Sequence, residues 1–218
     1  MKKIPFFLLV DTSGKMVGER IGLINSWILE LISAFRKEPF LLECLDISLS
    51  EYSSALKLIY PLTSFDKCEI PILESRPSTP ALLGEALNTF IDELKKLYVN
   101  LDFNKNYHSP WILILTGGKP TDTYASAEAV KMFQKEWGAN ILFGVTATEL
   151  LPTYKSLLGS HVSEKLLYLI DLNSEGFPKN LIYSFVEADV GDGVNLSSHK
   201  EELGLEFLAS TPSIIQLN

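Results

Sequence analysis

Phe6-Phe7-Leu8-Leu9-Val10 runs directly into Asp11-Thr12-Ser13-Gly14-Lys15, so an unbroken apolar run ends in an acid and two hydroxyls. A continuous apolar run of this length, bounded by turn residues, reads as a strand buried on both faces, as in parallel sheets covered by helices. In open α/β sheets the crevice that receives ligands lies just beyond the carboxyl ends of such strands. The stretch therefore predicts a sheet interior and, at Asp11, the rim on which a site would sit.

The pattern on either side agrees. After Gly18, the apolar residues Ile21, Ile24, Ile28, Leu31 and Phe35 recur at helical spacing, Leu23, Trp27 and Leu29 widen that face, and Pro39 follows, which predicts a helix over 19–37. Leu41–Leu49 and Ala55–Leu62 read as strands joined by the polar turn Ser50–Ser54, a hairpin that makes one sheet edge antiparallel. Ser78-Thr79-Pro80 predicts a helix start, with the Thr79 hydroxyl capping and Pro80 in the first turn, and Leu83, Leu87, Phe90, Leu94 and Leu97 carry that helix to about Tyr98. Asp102–Ser109 reads as a loop, Trp111–Leu115 as a strand buried on both faces, and Thr116-Gly117-Gly118-Lys119-Pro120 as its closing turn. A helix over Ala125–Trp137 stopped by Gly138, a strand Asn140–Val145, a short helix Pro152–Leu158, a strand Lys165–Asp171 and a helix Pro178–Glu187 complete the alternation. Such alternation predicts an α/β fold: a doubly wound, mostly parallel sheet with one antiparallel edge strand and helices on both faces. Residues 1–190 form the expected domain. Gly191-Asp192-Gly193 breaks the pattern, leaving 191–218 as a tail, with a helix at Glu201–Ala209 and an extended Ile214-Ile215, packed on the domain or binding a partner.

At 218 residues and 46% hydrophobic, the chain can bury one large core. Its net charge of −8, without any run of Lys and Arg, opposes a nucleic-acid backbone or an anionic membrane as partner. Met1-Lys2-Lys3 before an apolar run resembles a leader, but the run meets Asp11 with no small-residue cleavage site and reads as a core strand. No segment has the roughly 20 apolar residues of a membrane span. Cys44 and Cys68 have neither metal-site nor disulfide-framework spacing, so a reducing, cytoplasmic setting is expected.

Loops leaving neighbouring strand ends in a doubly wound sheet converge on one rim, which brings Asp11–Lys15, Ser78-Thr79 and Thr116-Gly117 together. Asp11, Ser13 and Thr79 offer the oxygens that a hard divalent cation takes. The stretches FLLVDTSGKMVGERI, STPALLGEAL and ILILTGGKPTD, in this order and spacing, resemble a von Willebrand factor A (VWA) domain of the bacterial tellurite-resistance type, over about residues 4–190. That family's motifs typically read DTSGSM, GGTPLGxAL and LLTDGxPTD and build a metal-ion-dependent adhesion site. The resemblance assigns its first acid, first serine and threonine to Asp11, Ser13 and Thr79. Lys15 stands where the family has its second serine and Gly117 where it has its late aspartate.

These departures add a cation and remove a carboxylate, so the resemblance implies a degenerate site with no metal. Mg2+ or Mn2+ would be held only if Asp11, Ser13 and Thr79 sufficed. The Lys15 ammonium is expected in the metal position, against the alternative of a loop lysine in solvent. Lys119 adds positive charge to the same rim, and Asp122 of the PTD turn is expected to cap the following helix. The implied function is a non-catalytic protein-protein interaction scaffold, with Lys15 or Lys119 meeting a partner's carboxylate. In the family such scaffolds are cytoplasmic, encoded beside a kinase or phosphatase that would be the partner, in stress-response or phage-defence loci.

Two other readings remain open. One is a phosphoacceptor domain using Asp11 with Lys119 nearby; the other is a structural subunit whose rim is vestigial. Common enzyme motifs are missing: a Walker loop fails at Leu9 and Met16, a dehalogenase-type second acid fails at Ser13, and no esterase elbow or dinucleotide fingerprint is present. His108, His161 and His199 lie too far apart in sequence to suggest a metal triad, and 189–193 lacks the alternate acids of a calcium loop.

Overall fold

The opening apolar run forms β1 (Ile4–Asp11), buried along its whole length, in a computed structural model that describes residues 2–100, 103–137, 140–158 and 167–170. The other strands are β2 (Leu45–Tyr52), β3 (Leu56–Ser64), β4 (Trp111–Thr116), β5 (Asn140–Val145) and β6 (Leu167–Leu169), in the order β3-β2-β1-β4-β5-β6. All neighbours are parallel except β2 and β3, whose antiparallel pairing carries register shifts around Leu49. The expected fold class is thus found, with β3 as the antiparallel edge. β1 is central because its side chains are apolar in both directions. Phe6 points to the face covered by α1 (Glu19–Phe35), its ring 5.9 Å from that of Phe35. Phe7 points to the other face and meets Phe90 edge-on at 5.1 Å. That second face is covered by α3 (Leu83–Asn100) and α5 (Thr123–Trp137), which join Phe7, Leu9, Ile112, Ile114 and Phe143 in one buried cluster. The remaining helices are α2 (Pro39–Cys44), α4 (Phe103–Asn106) and α6 (Leu151–Leu158).

Several expected boundaries are corrected. Residues 41–44 belong to α2, not to a strand: Pro39 starts this helix, and the apolar stretch after it is too short for periodicity to distinguish helix from strand. β2 therefore begins at Leu45 and continues through Ser50 to Tyr52, inside the expected turn. The expected loop 102–109 contains α4, and Tyr107 bridges to Lys3. α3 starts at Leu83 rather than after Thr79. Ser78 adopts a left-handed φ of 64°, while the Leu82 N–H bonds Ser53 O and the Ala81 carbonyl accepts Thr121 N–H, so tertiary partners hold the chain out of helix for another turn. The expectations for 178–187 and 191–218, the domain boundary at 190, and the positions of Gly138, His161 and His199 lie outside the described residues. Among the described residues, no helix is long and apolar enough to cross a membrane.

Packing of α3 on α5 depends on Gly84. A Cβ there would stand 2.5 Å from the backbone C of Ala125 and N of Ser126, so the helices could not keep this separation. Gly84→Ala is expected to lower stability by about 1–3 kcal/mol despite the better helix propensity of Ala. Gly22→Ala, at a position in α1 with nothing within 4 Å, should instead stabilise by up to about 1 kcal/mol. Thermal melts of both variants check this, and equal shifts would refute the close helix contact.

Candidate functional site

The first three junctions named from the sequence do converge, and largely through backbone bonds. Gly14 N–H donates to Thr79 O at 3.0 Å and Arg76 N–H to Thr12 O at 2.6 Å. Glycine is needed at position 14 because a Cβ would stand 2.9 Å from the backbone N of Ser78. Thr12 in turn donates its N–H to Tyr52 O, at 2.8 Å, so the ends of β1 and β2 are tied as well.

Asp11 lies at the centre, fully buried. Its Oδ1 accepts Ser13 N–H at 2.8 Å and its Oδ2 accepts the Thr116 hydroxyl at 2.7 Å. A hydroxyl has a single proton, so Thr116 gives it to the carboxylate and accepts the N–H of Gly118 at 3.2 Å. Tyr154 from α6 closes this network from the side, donating to Gly118 O at 2.7 Å. Burial raises the Asp11 pKa above its ordinary 3.8, opposed by the hydrogen bonds from Ser13 and Thr116 and, last, by the charge of Lys15. The phenols of Tyr52 and Tyr154 are pushed up, first by burial and further by the nearby Asp11 charge.

Lys15 takes neither expected position. It lies within the short turn Gly14–Met16, where the Ser13 hydroxyl accepts Lys15 N–H at 3.4 Å. Its stem lies on Gly118, where a Cβ would be 2.5 Å from Lys15 Cδ. Its ammonium donates to Lys119 O, and more weakly, at 3.4 Å, to Thr121 Oγ1. The side chain therefore crosses to the third loop instead of dropping between Asp11, Ser13 and Thr79. The Thr79 hydroxyl also points elsewhere, donating to Arg76 O at 2.8 Å, so it neither joins the Asp11 network nor caps α3. That cap comes from Asp122, whose Oδ2 accepts Glu85 N–H at 3.1 Å. Toward its own helix, Asp122 accepts Ser126 N–H on its carbonyl at 2.9 Å and the Ser126 hydroxyl on Oδ1 at 3.1 Å. Lys119 contributes its carbonyl to the site, with its side chain exposed.

Above Gly117 the space is filled. A Cβ there would be 2.9 Å from each of Arg20 Cδ, Met16 Sδ and Thr146 Oγ1, and Gly117 N–H points at Met16 Sδ at 3.0 Å. Arg20 lies across this glycine with Nη1 donating to Lys15 O at 3.0 Å. Sequence reasoning missed Met16, Arg20 and Tyr154 as members of the rim, and placed Thr116 at its junction without giving it a role. Nothing in the spacing of α6 marks Tyr154. A second buried carboxylate, Glu51, is held by Arg76, with Lys57 Nζ 3.5 Å away.

The raised pKa of Asp11 gives a signed pH dependence. The folded protein holds this proton more tightly than the unfolded chain, so the stabilising contribution is complete below pH 3.8 and is lost as pH rises through the higher folded value. Asp11→Asn removes the buried charge and keeps an acceptor for Ser13 N–H, while Thr116 can turn its proton to Gly118 O, 3.1 Å away. The melting temperature of Asp11→Asn relative to wild type is expected to climb as pH rises from about 3.8 and then level off; a pH-independent difference would contradict the desolvated carboxylate. Asp11→Ala strands buried donors and should cost about 1–3 kcal/mol at any pH.

No protein-family model and no curated protein sequence matches the chain. Solved structures do. The ArnB paralog VWA2 from Sulfolobus acidocaldarius superposes with a TM-score of 0.52 at 18% identity, covering 82% of this chain and 44% of that one. Proximal thread matrix protein 1 from the mussel byssus, with a zinc-occupied MIDAS motif, gives 0.55 at 14% identity over 84% of this chain and 46% of that one. The VWA domain of SpRpn10 gives 0.52 at 12% identity over 84% of this chain and 95% of that domain. This chain thus spans less than half the length of the archaeal and mussel proteins and nearly all of the isolated domain. The parallel sheet with its antiparallel edge, the helices on both faces and these superpositions together identify the fold as that of the von Willebrand factor A domain.

Proposed function

We propose that this chain is a non-catalytic protein-interaction module whose rim works without a divalent cation. The observation that carries the reading is the placement of Lys15, which stands at the sequence position of a hydroxyl ligand in the adhesion-site motif and anchors its ammonium on Lys119 O in the third loop. The mussel protein holds zinc in its motif. The donors of this chain do not fit such an ion: Gly117 supplies no carboxylate, and Met16 and Arg20 occupy the space above it. Among the described residues, no group of three or more His, Cys, Asp or Glu could hold a metal. A hard cation would meet Asp11 and Ser13 together with the positive end of Lys15, an unfavourable balance.

A phosphoacceptor role for Asp11 is disfavoured by the same geometry, because the carboxylate is fully buried with each oxygen already accepting a hydrogen bond. On its motifs, we assign the module to the bacterial tellurite-resistance type, acting as a cytoplasmic scaffold in a stress-response or phage-defence system, with a kinase or phosphatase of the same locus as partner.

Titration calorimetry with Mg2+ and Mn2+ is expected to show no saturable heat, and chelator should leave the melting temperature unchanged. A partner captured from the source cells should be retained in chelator and lost with Lys15→Glu. Saturable metal binding with a raised melting temperature, or capture that requires a divalent cation, would overturn the reading.

A further inference from the structure

We infer that Lys15 and Arg20 form a fixed cationic notch over the Gly117-Gly118 turn, which takes a carboxylate from an acidic segment of a partner protein. This rests on the interaction-module reading above and names the chemistry of the partner.

Both side chains are laid down rather than free. The Lys15 stem rests on Gly118 and the Arg20 stem on Gly117, each where a Cβ would come within 2.9 Å or less of it. The absence of side chains on these two glycines therefore makes the shelf on which the cations lie. Side chains already ordered lose less entropy on binding than mobile surface cations.

Their heads are bonded only to neutral acceptors. Arg20 Nη1 donates to Lys15 O at 3.0 Å, while Lys15 Nζ donates to Lys119 O and, at 3.4 Å, to Thr121 Oγ1. Among the described residues neither head takes part in an ion pair, whereas Arg76 on the same rim is committed to Glu51. A guanidinium has five N–H donors in a planar fork, so Arg20 keeps most of them for a bidentate carboxylate, and an ammonium with three donors keeps one. Arg20 and Lys119 are exposed and Lys15 is half-buried, so a ligand can reach them.

Nearby negative charge limits the ligand. Asp11 lies buried beneath, within the influence of Lys15, and exposed Glu19 precedes Arg20 on α1. The whole chain carries −8, which repels an extended polyanion such as a nucleic acid but tolerates a short contact by one or a few carboxylates. An acidic protein segment is the ligand that satisfies both conditions.

The test is calorimetric titration of the full chain with an end-blocked hexaglutamate peptide at low and at physiological ionic strength, beside hexaglutamine and inorganic phosphate. Saturable binding of the glutamate peptide alone is expected, weakened about tenfold by Arg20→Gln or Lys15→Gln and weakened again by salt. Gly118→Ala keeps both charges but lifts the Lys15 stem, and should weaken binding as Lys15→Gln does. Arg20 is exposed, so Arg20→Gln should melt near wild type and report on binding alone. Absent binding, binding indifferent to both charge variants, or equal binding of phosphate would overturn the notch. None of these results would alter the metal titration or the capture in chelator, on which the module reading stands or falls.

Discussion

The buried carboxylate of Asp11 holds the rim together. It spans from the end of β1 to the end of β4, accepting a backbone N–H from its own loop and a hydroxyl from Thr116. A charge in this position is costly to desolvate and is tolerated because its hydrogen bonds are short and complete. The Thr116 hydroxyl that serves it is itself enclosed by Tyr154 and the Gly118 backbone, so the third loop is shaped around the acid at the end of the first.

With that centre in place, the second loop is attached almost entirely by main chain. Gly14 lies against Ser78, and the bonds from Gly14 to Thr79 and from Arg76 to Thr12 need no particular side chain. The Thr79 hydroxyl is thereby released to serve its own loop. Backbone contacts hold the loops of the rim together, while the Lys15 and Thr79 side chains turn to Lys119 O and Arg76 O.

Two adjacent glycines shape the cationic side of the rim. Lys15 needs a residue without a side chain at 118, and Met16 and Arg20 need one at 117. A carboxylate at 117 would displace the sulfur and the guanidinium stem now resting there. The positive charge on this side of the rim is covalently attached and rests on glycine.

Much of this was legible in the residues. Apolar runs at Phe6–Val10 and Trp111–Leu115 marked the two central strands, and the helical spacing after Gly18 marked α1, because burial of alternating or periodic apolar side chains is a local property. Asp11, Ser13 and Gly117 could be expected on one rim because loops at the strand ends of a doubly wound sheet converge. The extent of α2 could not, since so short an apolar stretch fits helix or strand equally, and neither could the late start of α3 or its capping by Asp122, which depend on partners distant in sequence. Likewise, sequence alone determined that Lys15 stands on the rim, but only the tertiary structure decided where its ammonium goes. The direction of a long, flexible side chain is set by which neighbours lack a Cβ and which carbonyls face it, and both are known only after the loops have met.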